Sequence, residues 1–309
     1  MDTYDAVVVG GGPAGLQAAL TLGRMHRSTL LLDSGEYRNA PVEHLQNFLT
    51  HDGRAPADFR AAARADLAAY SSVTVREARA GSATEEDGLF RVALEDGTSI
   101  SGRALLLATG VRDTLPDKPG LAELFGTVAA HCPFCHGHEL AGTHVAVLGN
   151  GPHAARLPLL LAPIADRVTV LADGGPIDPA AGDLLARAGV TVRPDPVTGF
   201  RRSDGGATVS FASGPDEEVG GVFVATTFAQ SAPLAEQLGL ELLPSGCVRV
   251  DELGRTSRPG VYAAGDLAHL AALPMPMPSV LTSAAAGLVA ASSAVQALVV
   301  EDWGLVVAG

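Results

Sequence analysis

Cysteine is scarce in this chain, and its scarcity restricts what the thiols can do. Only three of the 309 residues are cysteine, too few for the disulfide framework that stabilises small secreted domains. Two of them form one short motif, Cys132-Pro133-Phe134-Cys135, and the third, Cys247, lies far along the chain. A Cys-x-x-Cys pair can close and reopen a small disulfide ring, and one of its thiols often has a lowered pKa, so the pair indicates redox chemistry.

Positive charge is scarce as well. Lysine and arginine number 21 against 34 aspartates and glutamates, which gives a net charge of −13. Such a chain is poorly suited to nucleic acid or to an anionic membrane surface, and we expect neither as a partner. The simplest interpretation of the charge is a solvated surface.

Two further absences bear on where the protein works. Residues 1–5 contain no basic segment of the kind that opens a signal peptide. No apolar run of 18 or more residues free of breakers stands out. We therefore expect no signal peptide, no membrane span and a cytoplasmic protein. A chain of this length, 47% apolar, suits two globular domains.

A glycine-rich turn follows the first apolar run. Ala6–Val9 is short and β-branched, which is typical of a buried parallel strand. Gly10, Gly12 and Gly15 then form G-x-G-x-x-G before an apolar-periodic helix, a pattern that lets a pyrophosphate reach the helix N-terminus. The next apolar strand ends in Asp33, which is placed to bond a ribose hydroxyl. The context predicts a dinucleotide site, and a glycine turn without a ligand is the alternative.

The same βαβ pattern occurs a second time. Val145–Leu148 leads into Gly149–Ala154, a G-x-G-x-x-A turn, and the following strand is succeeded by Asp173. Pro158 falls inside the expected helix, where it removes a backbone hydrogen bond and predicts a kink. No arginine or lysine follows the strand to bind a 2′-phosphate, so NADPH is disfavoured. NADH could bind, or the domain could be a scaffold that no longer uses a nicotinamide.

Two more strands end in small residues. Ala108-Thr109-Gly110 closes a buried strand with a glycine turn, and Gly265-Asp266 closes another. At the second, the glycine allows a ligand to approach and the carboxylate can accept a bond from a sugar or ribityl hydroxyl; a plain strand-to-loop turn is the alternative. We expect 112–119 to be a linker and Ser283–Leu298 to be a helix packed on the cofactor-bearing sheet.

Three histidines flank the cysteine pair: His131, His136 and His138. Each can move a proton in the pH range where thiols exchange. His136 is our candidate for the base that deprotonates a thiol, with His131 or His138 assisting; histidines that only face solvent or make structural bonds are the alternative. The pair could also be a zinc site or two inert thiols, but structural zinc usually needs a second pair of ligands.

In this order the motifs resemble those of the low-molecular-weight thioredoxin reductases, over nearly the whole chain. The resemblance implies an α/β fold with two Rossmann-like nucleotide-binding domains, the second inserted in the first. An FAD-binding domain would comprise 1–116 and 245–309, and an NAD(P)-type domain with the Cys-x-x-Cys motif would comprise 117–244. It also implies a homodimer.

The resemblance further implies roles for single residues. Cys135 would face the flavin while Cys132 exchanges with the substrate, and Asn47 would approach the flavin edge. FAD is the implied cofactor, and no metal is expected. The residues expected to hold FAD are Gly10, Gly12, Pro13, Ala14, Gly15, Asp33, Ser34, Ala108, Thr109, Gly110, Gly265 and Asp266.

Two stretches resemble one branch of this family. His131–Glu139 is similar to the Cys-x-x-Cys-His-Gly-x-Glu region of the flavin-dependent dithiol oxidases of natural-product pathways, such as those that close the disulfides of gliotoxin and holomycin, and 33–39 also resembles that branch. Ordinary thioredoxin reductases have Asp in place of His136 and an arginine-containing 2′-phosphate motif, which is absent here. His138 stands where that branch is expected to have an aromatic residue.

We therefore expect an FAD-dependent dithiol oxidase acting on a small-molecule, natural-product dithiol. A substrate thiolate attacks Cys132, the second substrate thiol displaces it, Cys135 reacts with the flavin, and O2 is reduced to H2O2. Two alternatives remain open. One is an NAD(P)H- or ferredoxin-dependent reductase of thioredoxin or another protein disulfide, and the other is a flavin-binding redox sensor whose pair does not turn over.

Overall fold

The computed structural model describes residues 3–305. Met1 and Asp2, on which the expectation about a signal peptide partly rests, lie outside this range. The helices of the described part are α1 (Pro13–Arg24), α2 (Pro56–Leu67), α3 (Leu121–Leu124), α4 (Pro133–His136), α5 (Pro152–Leu161), α6 (Pro179–Arg187), α7 (Leu234–Gln237) and α8 (Val280–Trp303), with a 3-10 turn at His138–Leu140.

The strands of the described part are β1 (Thr3–Val9), β2 (Thr29–Asp33), β3 (Val73–Glu77), β4 (Ala80–Glu86), β5 (Leu89–Leu94), β6 (Ser99–Leu107), β7 (Val111–Thr114), β8 (Ala129–Ala130), β9 (His144–Leu148), β10 (Arg167–Leu171), β11 (Thr191–Arg193), β12 (Val197–Ser203), β13 (Gly206–Phe211), β14 (Glu217–Val219), β15 (Gly221–Val224), β16 (Thr227–Gln230), β17 (Val248–Val250), β18 (Val261–Ala263) and β19 (Ala268–Leu270).

Contacts within the chain group it into two units. Unit 1 comprises Met1–Arg38, Ala57–Arg112 and Ala229–Gly309, and unit 2 comprises Asn39–Pro56 and Asp113–Phe228. Unit 2 is thus inserted in unit 1, as the predicted fold class requires.

A parallel sheet with an antiparallel extension forms the centre of unit 1. Its strand order is β3-β2-β1-β6-β5-β4, and β18 pairs with the end of β6. Strands β1, β2, β3 and β18 run parallel to their neighbours, whereas β4, β5 and the start of β6 form an antiparallel meander. Val7, Val8 and Leu105 are fully buried, which is typical of the central strands of a parallel sheet that is covered on both faces.

Helices α1 and α8 pack closely in unit 1 because both present small residues. Ala18 and Ala19 of α1 and Ala290 and Ala291 of α8 are fully buried in one cluster. A Cβ on Gly287 would lie 2.0 Å from the carbonyl oxygen of Ala14. The backbone of α8 therefore touches the first turn of α1 directly.

Unit 2 has two layers of core on either side of a five-stranded parallel sheet, ordered β11-β10-β9-β15-β8. One face packs against α5 and α6 through residues such as Val147, Leu161 and Leu185. The other face packs against the antiparallel sheet β12-β13-β14 through residues such as Leu148 and Val209. The second Rossmann-like pattern of the sequence is therefore present.

Several details differ from the expectations. Residues 39–56 group with unit 2 and 229–244 with unit 1, whereas the predicted division lay at 116/117 and 244/245. The second difference has a local cause, since Gln237 of α7 bonds the backbone of Ala83 and Gly81 on β4. The expected linker 112–119 begins inside β7, which pairs with β16.

Helix α8 is longer than expected and bears on the membrane prediction. It runs over 24 residues and, among the described helices, is long and apolar enough to cross a membrane by length and composition alone. A buried core helix passes the same test, and α8 buries Gly287, Ala290 and Ala291 in unit 1. The expected absence of a membrane span stays a prediction.

Candidate functional site

The strands of unit 1 bring most of the predicted cofactor residues to one edge of the sheet. Val9 of β1, Asp33 of β2, Leu107 of β6 and Ala263 of β18 each end a parallel strand. The carboxyl ends of parallel strands lie at the same edge, where α/β sheets bind ligands. Gly10–Gly15, Asp33, Ser34, Ala108–Gly110, Gly265 and Asp266 all follow or end these strands.

The glycine turn between β1 and α1 has the shape of a phosphate cradle. A Cβ on Gly10 would lie 2.2 Å from the carbonyl oxygen of Ala108, and one on Gly15 would lie 1.8 Å from that of Gly10. A Cβ on Gly12 would meet nothing within 4 Å. Gly12 is also the N-cap of α1, with no side-chain cap and no acidic residue in the first turn. The amide groups of this turn are therefore left for an anion such as a pyrophosphate.

Asp33 is buried and already has partners. Its side chain is 1% exposed. Oδ1 accepts a bond from the Gly35 amide at 2.9 Å, while Oδ2 accepts one from the Tyr37 hydroxyl at 2.8 Å and another from Arg64 Nη2. Ser34 beside it is exposed, and its hydroxyl accepts a bond from the Glu36 amide at 3.4 Å.

The residues that follow β6 and β18 lie at the same edge of the sheet. The Ala108 amide donates to the Val9 carbonyl at 2.8 Å, and a Cβ on Gly265 would lie 3.0 Å from the Cβ of Ala14. Asp266 accepts bonds from Arg38 Nη1 at 2.8 Å and from the Ser283 hydroxyl at 3.1 Å. The predicted cofactor residues of unit 1 thus converge, with a carboxylate at each of two strand ends.

Unit 2 contains the redox pair. Cys132 and Cys135 are joined by a disulfide with a Cα–Cα distance of 5.3 Å. Cys132 is the N-cap of α4, and its carbonyl oxygen accepts bonds from the amides of Cys135 and His136. Phe134 between the two cysteines is 70% exposed, so an aromatic side chain stands free beside the disulfide.

The three histidines have different surroundings. Burial lowers the pKa of His136 below its ordinary value, and the charge of Glu139 offsets this only in part. The Nδ1 atom of His136 is buried and has no hydrogen-bond partner among the described residues. His131 stacks on Phe125 with ring centroids 5.8 Å apart. His138 is exposed. Burial therefore favours the neutral ring of His136, whose Nδ1 is unpartnered among the described residues.

Asn47 lies in unit 2, in the stretch 39–56. Its φ of 59° is left-handed, a conformation that asparagine tolerates. The backbone N–H of Asn47 donates a hydrogen bond to Asp52 Oδ1 at 2.6 Å. The backbone there is held by its own loop, and the expected approach to the flavin edge stays a prediction.

The second glycine turn, in unit 2, is filled by its own side chains. His153 Nε2 donates to the Leu148 carbonyl at 2.9 Å, and a Cβ on Gly149 would lie 2.7 Å from that nitrogen. Asn150 donates to the Ala172 carbonyl at 3.1 Å. Asp173, the acidic residue after β10, accepts bonds from Lys118 Nζ and from the Val197 amide, each at 2.8 Å. Asp173 is thus held by its neighbours in unit 2, while 24% of its side chain stays exposed.

Several residues of these sites were not predicted from the sequence. Arg64 and Tyr37 bond Asp33, and Lys118 bonds Asp173 across 55 positions. Tyr37 lies four residues after Asp33 and falls within the stretch 33–39 that suggested a family branch. Arg64 is one of several arginines of α2, and only its helical position relative to β2 distinguishes it.

Comparisons with known proteins agree with this geometry. The family model described as pyridine nucleotide-disulphide oxidoreductase matches residues 4–294. The chain is 36% identical to thioredoxin reductase tcpT of Claviceps purpurea, over 85% of this chain and 86% of the relative. It is 33% identical to thioredoxin reductase sirT of Leptosphaeria maculans, over 94% and 92%. The crystal structure of HlmI superposes with a TM-score of 0.90 at 34% identity, over 98% and 94% of the two chains.

Proposed function

The chain belongs to the pyridine nucleotide-disulphide oxidoreductase family and is similar to thioredoxin reductases, and from this premise we propose that it is an FAD-dependent dithiol oxidase. It is a flavoprotein, its cofactor is FAD, and as an enzyme it exchanges thiols and disulfides. What the proposal adds is the direction of the reaction, the substrate class and the electron acceptor. The substrate is a small-molecule dithiol of natural-product type, in line with the resemblance of His131–Glu139.

The residues of unit 1 fit FAD. The glycine turn Gly10–Gly15, with Pro13 and Ala14, would hold the pyrophosphate, since no side chain fills the space over Gly12. Asp33 and Ser34 would lie at the adenosine end, and Gly265 and Asp266 at the ribityl hydroxyls. Ala108–Gly110 would close the floor of the site. Bound FAD supplies a two-electron acceptor that O2 can reoxidise, with H2O2 as the product.

The chain itself performs thiol–disulfide exchange at the cysteine pair. A substrate thiolate attacks Cys132, the bond to Cys135 breaks, and Cys135 leaves as a thiolate. The second substrate thiolate then attacks the substrate sulfur of this mixed disulfide, which releases a cyclic disulfide and leaves Cys132 reduced. Two electrons and two protons have moved from the substrate to the enzyme dithiol, ready for the flavin.

His136 is the proposed base of this exchange. Because burial lowers the pKa of its ring, His136 is neutral near pH 7 and can take the proton of a thiol. Its buried Nδ1 has no partner among the described residues. His131, stacked on Phe125, and the exposed His138 are the assisting candidates.

The side chains that fill the second glycine turn, Gly149–Ala154, are the main support for the proposed direction of the reaction. His153 lies against two glycines of this turn, since a Cβ on Gly149 would lie 2.7 Å from its Nε2 and one on Gly151 would lie 3.5 Å from its Nδ1. A nicotinamide dinucleotide would have to displace His153 from this turn, and no arginine or lysine directly follows β10 in the sequence to bind a 2′-phosphate. This supports thiols as the source of electrons. The names of the relatives favour the second candidate, a thioredoxin reductase that draws electrons from a nicotinamide or ferredoxin.

Anaerobic reduction of the flavin separates the two. The holoenzyme is mixed in turn with NADH, NADPH and dithiothreitol, and the loss of flavin absorbance is followed. We expect rapid bleaching by the dithiol only, and one H2O2 per disulfide formed when air is admitted. Rapid bleaching by either nicotinamide with slow bleaching by dithiols would establish the reductase. Absence of steady H2O2 release with any dithiol would favour a redox sensor.

Cysteine variants test the assignment of the pair. Cys132→Ser and Cys135→Ser should each retain FAD and lose turnover by about a thousandfold or more, since nucleophilic catalysis is then absent. Cys247→Ser is the matched control, because Cys247 is free and buried in unit 1. Cys247→Ser should keep both its bound FAD and its activity. Undiminished oxidation in either pair variant would disprove the mechanism.

The wider setting is part of the same proposal. A homodimer and a cytoplasmic location follow from the resemblance and the sequence, without nucleic acid or membrane as partners. Sedimentation of the holoenzyme tests the first of these.

A further inference from the structure

The carboxylate at the end of β2 is enclosed by residues of its own unit. Asp33 is 1% exposed, and a Cβ on Gly11 would lie 1.9 Å from Oδ2, so the carboxylate rests against the glycine turn. A charge so buried is costly unless it is paired and hydrogen-bonded. Arg64 supplies the cation, since its Nη2 donates to Oδ2.

Tyr37 completes a closed arrangement. Its hydroxyl donates to Asp33 Oδ2 at 2.8 Å and accepts a bond from Arg64 Nη2 at 2.9 Å. Burial and the adjacent Asp33 raise the pKa of Tyr37, which keeps the phenol in its donor form. The guanidinium of Arg60 lies 3.8 Å from the centre of the Tyr37 ring and holds it by a cation–π contact.

The acceptor positions of the carboxylate can be counted. A carboxylate oxygen offers two lone pairs. Those of Oδ2 are taken by Tyr37 and Arg64, and one of those of Oδ1 by the Gly35 amide. Asp33 can therefore accept one further bond, through Oδ1. Arg64 also keeps a buried Nε without a partner among the described residues.

We propose that Arg64 and Tyr37 are positioning residues for FAD binding: they lock Oδ2 of Asp33, so that the carboxylate recognises a single ribose hydroxyl of the adenosine end through Oδ1. The inference rests on the FAD site assigned to unit 1. It is independent of the cysteine pair and of the direction of the reaction, so a failed oxidase assay leaves it intact.

Ligand competition on the full-length apoprotein tests the idea without turnover. ADP, 2′-deoxy-ADP and 3′-deoxy-ADP are each titrated against FAD, whose binding is followed by quenching of its fluorescence. We expect one of the two deoxy analogues to bind about tenfold or more weakly than ADP, as the loss of a bond to a charged group implies, and the other to bind like ADP. Equal losses for both analogues, or no loss for either, would overturn the single-hydroxyl assignment.

Variants separate positioning from a merely structural role. In Arg64→Gln and Tyr37→Phe the affinity for ADP should fall, and the ratio of the Kd values of the two deoxy analogues should move towards one. Arg64→Lys keeps the charge and should restore part of that ratio. Arg24→Gln is the matched control, because Arg24 donates to the Tyr70 hydroxyl at 3.1 Å in the same unit and at the far end of α1. Its ratio should equal that of the wild type.

The contrary outcome is specific. If Arg64→Gln and Tyr37→Phe weaken ADP and both analogues by one common factor, or leave all three unchanged, the two residues do not position the carboxylate. Circular dichroism of each apoprotein identifies a variant that fails to fold. Because Tyr37→Phe removes only a hydroxyl, it keeps the test decisive should the arginine variants unfold.

Discussion

Among single residues, we expect His136 and Glu139 to set the pH range of the proposed thiol exchange. Burial lowers the pKa of His136 and Glu139 opposes that shift, so the neutral base persists to lower pH than for an exposed histidine. Glu139→Gln removes the opposing charge. The pKa of His136 then falls further, and the acid limb of the kcat/KM profile should move to lower pH. The measurement is kcat/KM for one dithiol between pH 5 and pH 9.

A matched control removes a charge elsewhere in unit 2. Glu123 of α3 is exposed and does not contribute to the pKa of His136. Glu123→Gln should leave the acid limb where it is. A limb that moves to higher pH in Glu139→Gln, or stays in place, contradicts His136 as the titrating base.

Phe134 is the exposed aromatic side chain next to the disulfide. Because 70% of it is accessible, Phe134→Ala should change the free energy of unfolding by less than about 0.5 kcal/mol. If its ring contacts the substrate, the loss of about 1 kcal/mol of apolar contact raises KM roughly fivefold for an apolar dithiol. Steady-state kinetics with an aromatic dithiol and with dithiothreitol measure this.

The substrate comparison decides the interpretation. The rise in KM should be smaller with dithiothreitol, which offers little apolar surface. Leu242→Ala, at an exposed leucine of unit 1, should leave both KM values unchanged. Equal KM values in Phe134→Ala and the wild type for both dithiols would exclude Phe134 from substrate contact.

At the scale of elements, the close packing of α8 against α1 brings Gly287 onto the backbone of Ala14, in the glycine turn Gly10–Gly15. A Cβ on Gly287 would meet the Ala14 carbonyl at 2.0 Å, so Gly287→Ala must move one helix. We expect a loss of about 1–3 kcal/mol in the free energy of unfolding and weaker FAD retention, because Ala14 lies in the turn expected to hold the pyrophosphate. Thermal unfolding and FAD titration measure the two effects.

The same substitution in α6 is the control. A Cβ on Gly182 meets nothing within 4 Å, so Gly182→Ala should stabilise the helix by about 0.5–1 kcal/mol. If Gly287→Ala were also neutral or stabilising, the backbone contact between α8 and α1 would not be as close as described.

Elements with a strong local pattern were predictable from the sequence. The helix predicted at the first glycine turn is present and begins at Pro13, and the buried strands at Thr29, Val145 and Val168 follow from apolar runs bounded by glycine turns. The alternation in residues 73–76, 89–94 and 99–101 predicts a small antiparallel layer. Strands β5 and β6 pair in this way, whereas β3 pairs parallel with β2, as Thr29↔Val73 shows. Strand β4 was missed because it has no regular apolar alternation: its buried residues are Ala80 and Ala83, and its register with β5 shifts between Ala80 and Ser82.

The side-chain partners of Asp33 and Asp173 could not be predicted from the sequence. Asp33 was predicted at a ribose site, but its partner Arg64 is 31 positions away and becomes a neighbour only when α2 packs beside β2. The ion pair of Lys118 with Asp173 depends in the same way on the fold of unit 2. The motif identifies the kind of site, whereas the free acceptors that remain there depend on the tertiary structure.

At the scale of the whole molecule, each unit has its own core and one set of functional groups. The predicted cofactor residues other than Asn47 lie in unit 1, and the cysteine pair with its histidines lies in unit 2. Clusters around Leu22 and Leu106 in unit 1 and around Val147 and Phe223 in unit 2 share no residue. A ligand held by unit 1 should therefore stabilise that unit by mass action.

Hydrogen exchange on the holoenzyme and the apoprotein tests this division. Saturation with FAD at about a thousand times its Kd adds about 4 kcal/mol to the state that binds it. Removal of FAD should therefore accelerate amide exchange in β1, β2, β6 and α1, while β9 and β10 change little. NADH added to the holoenzyme should leave the amides of Gly149–Ala154 unprotected, because the side chains of unit 2 already fill that turn. Protection of that turn by NADH would support the reductase as the function instead. Uniform acceleration of exchange across both sheets would mean that the two units unfold together.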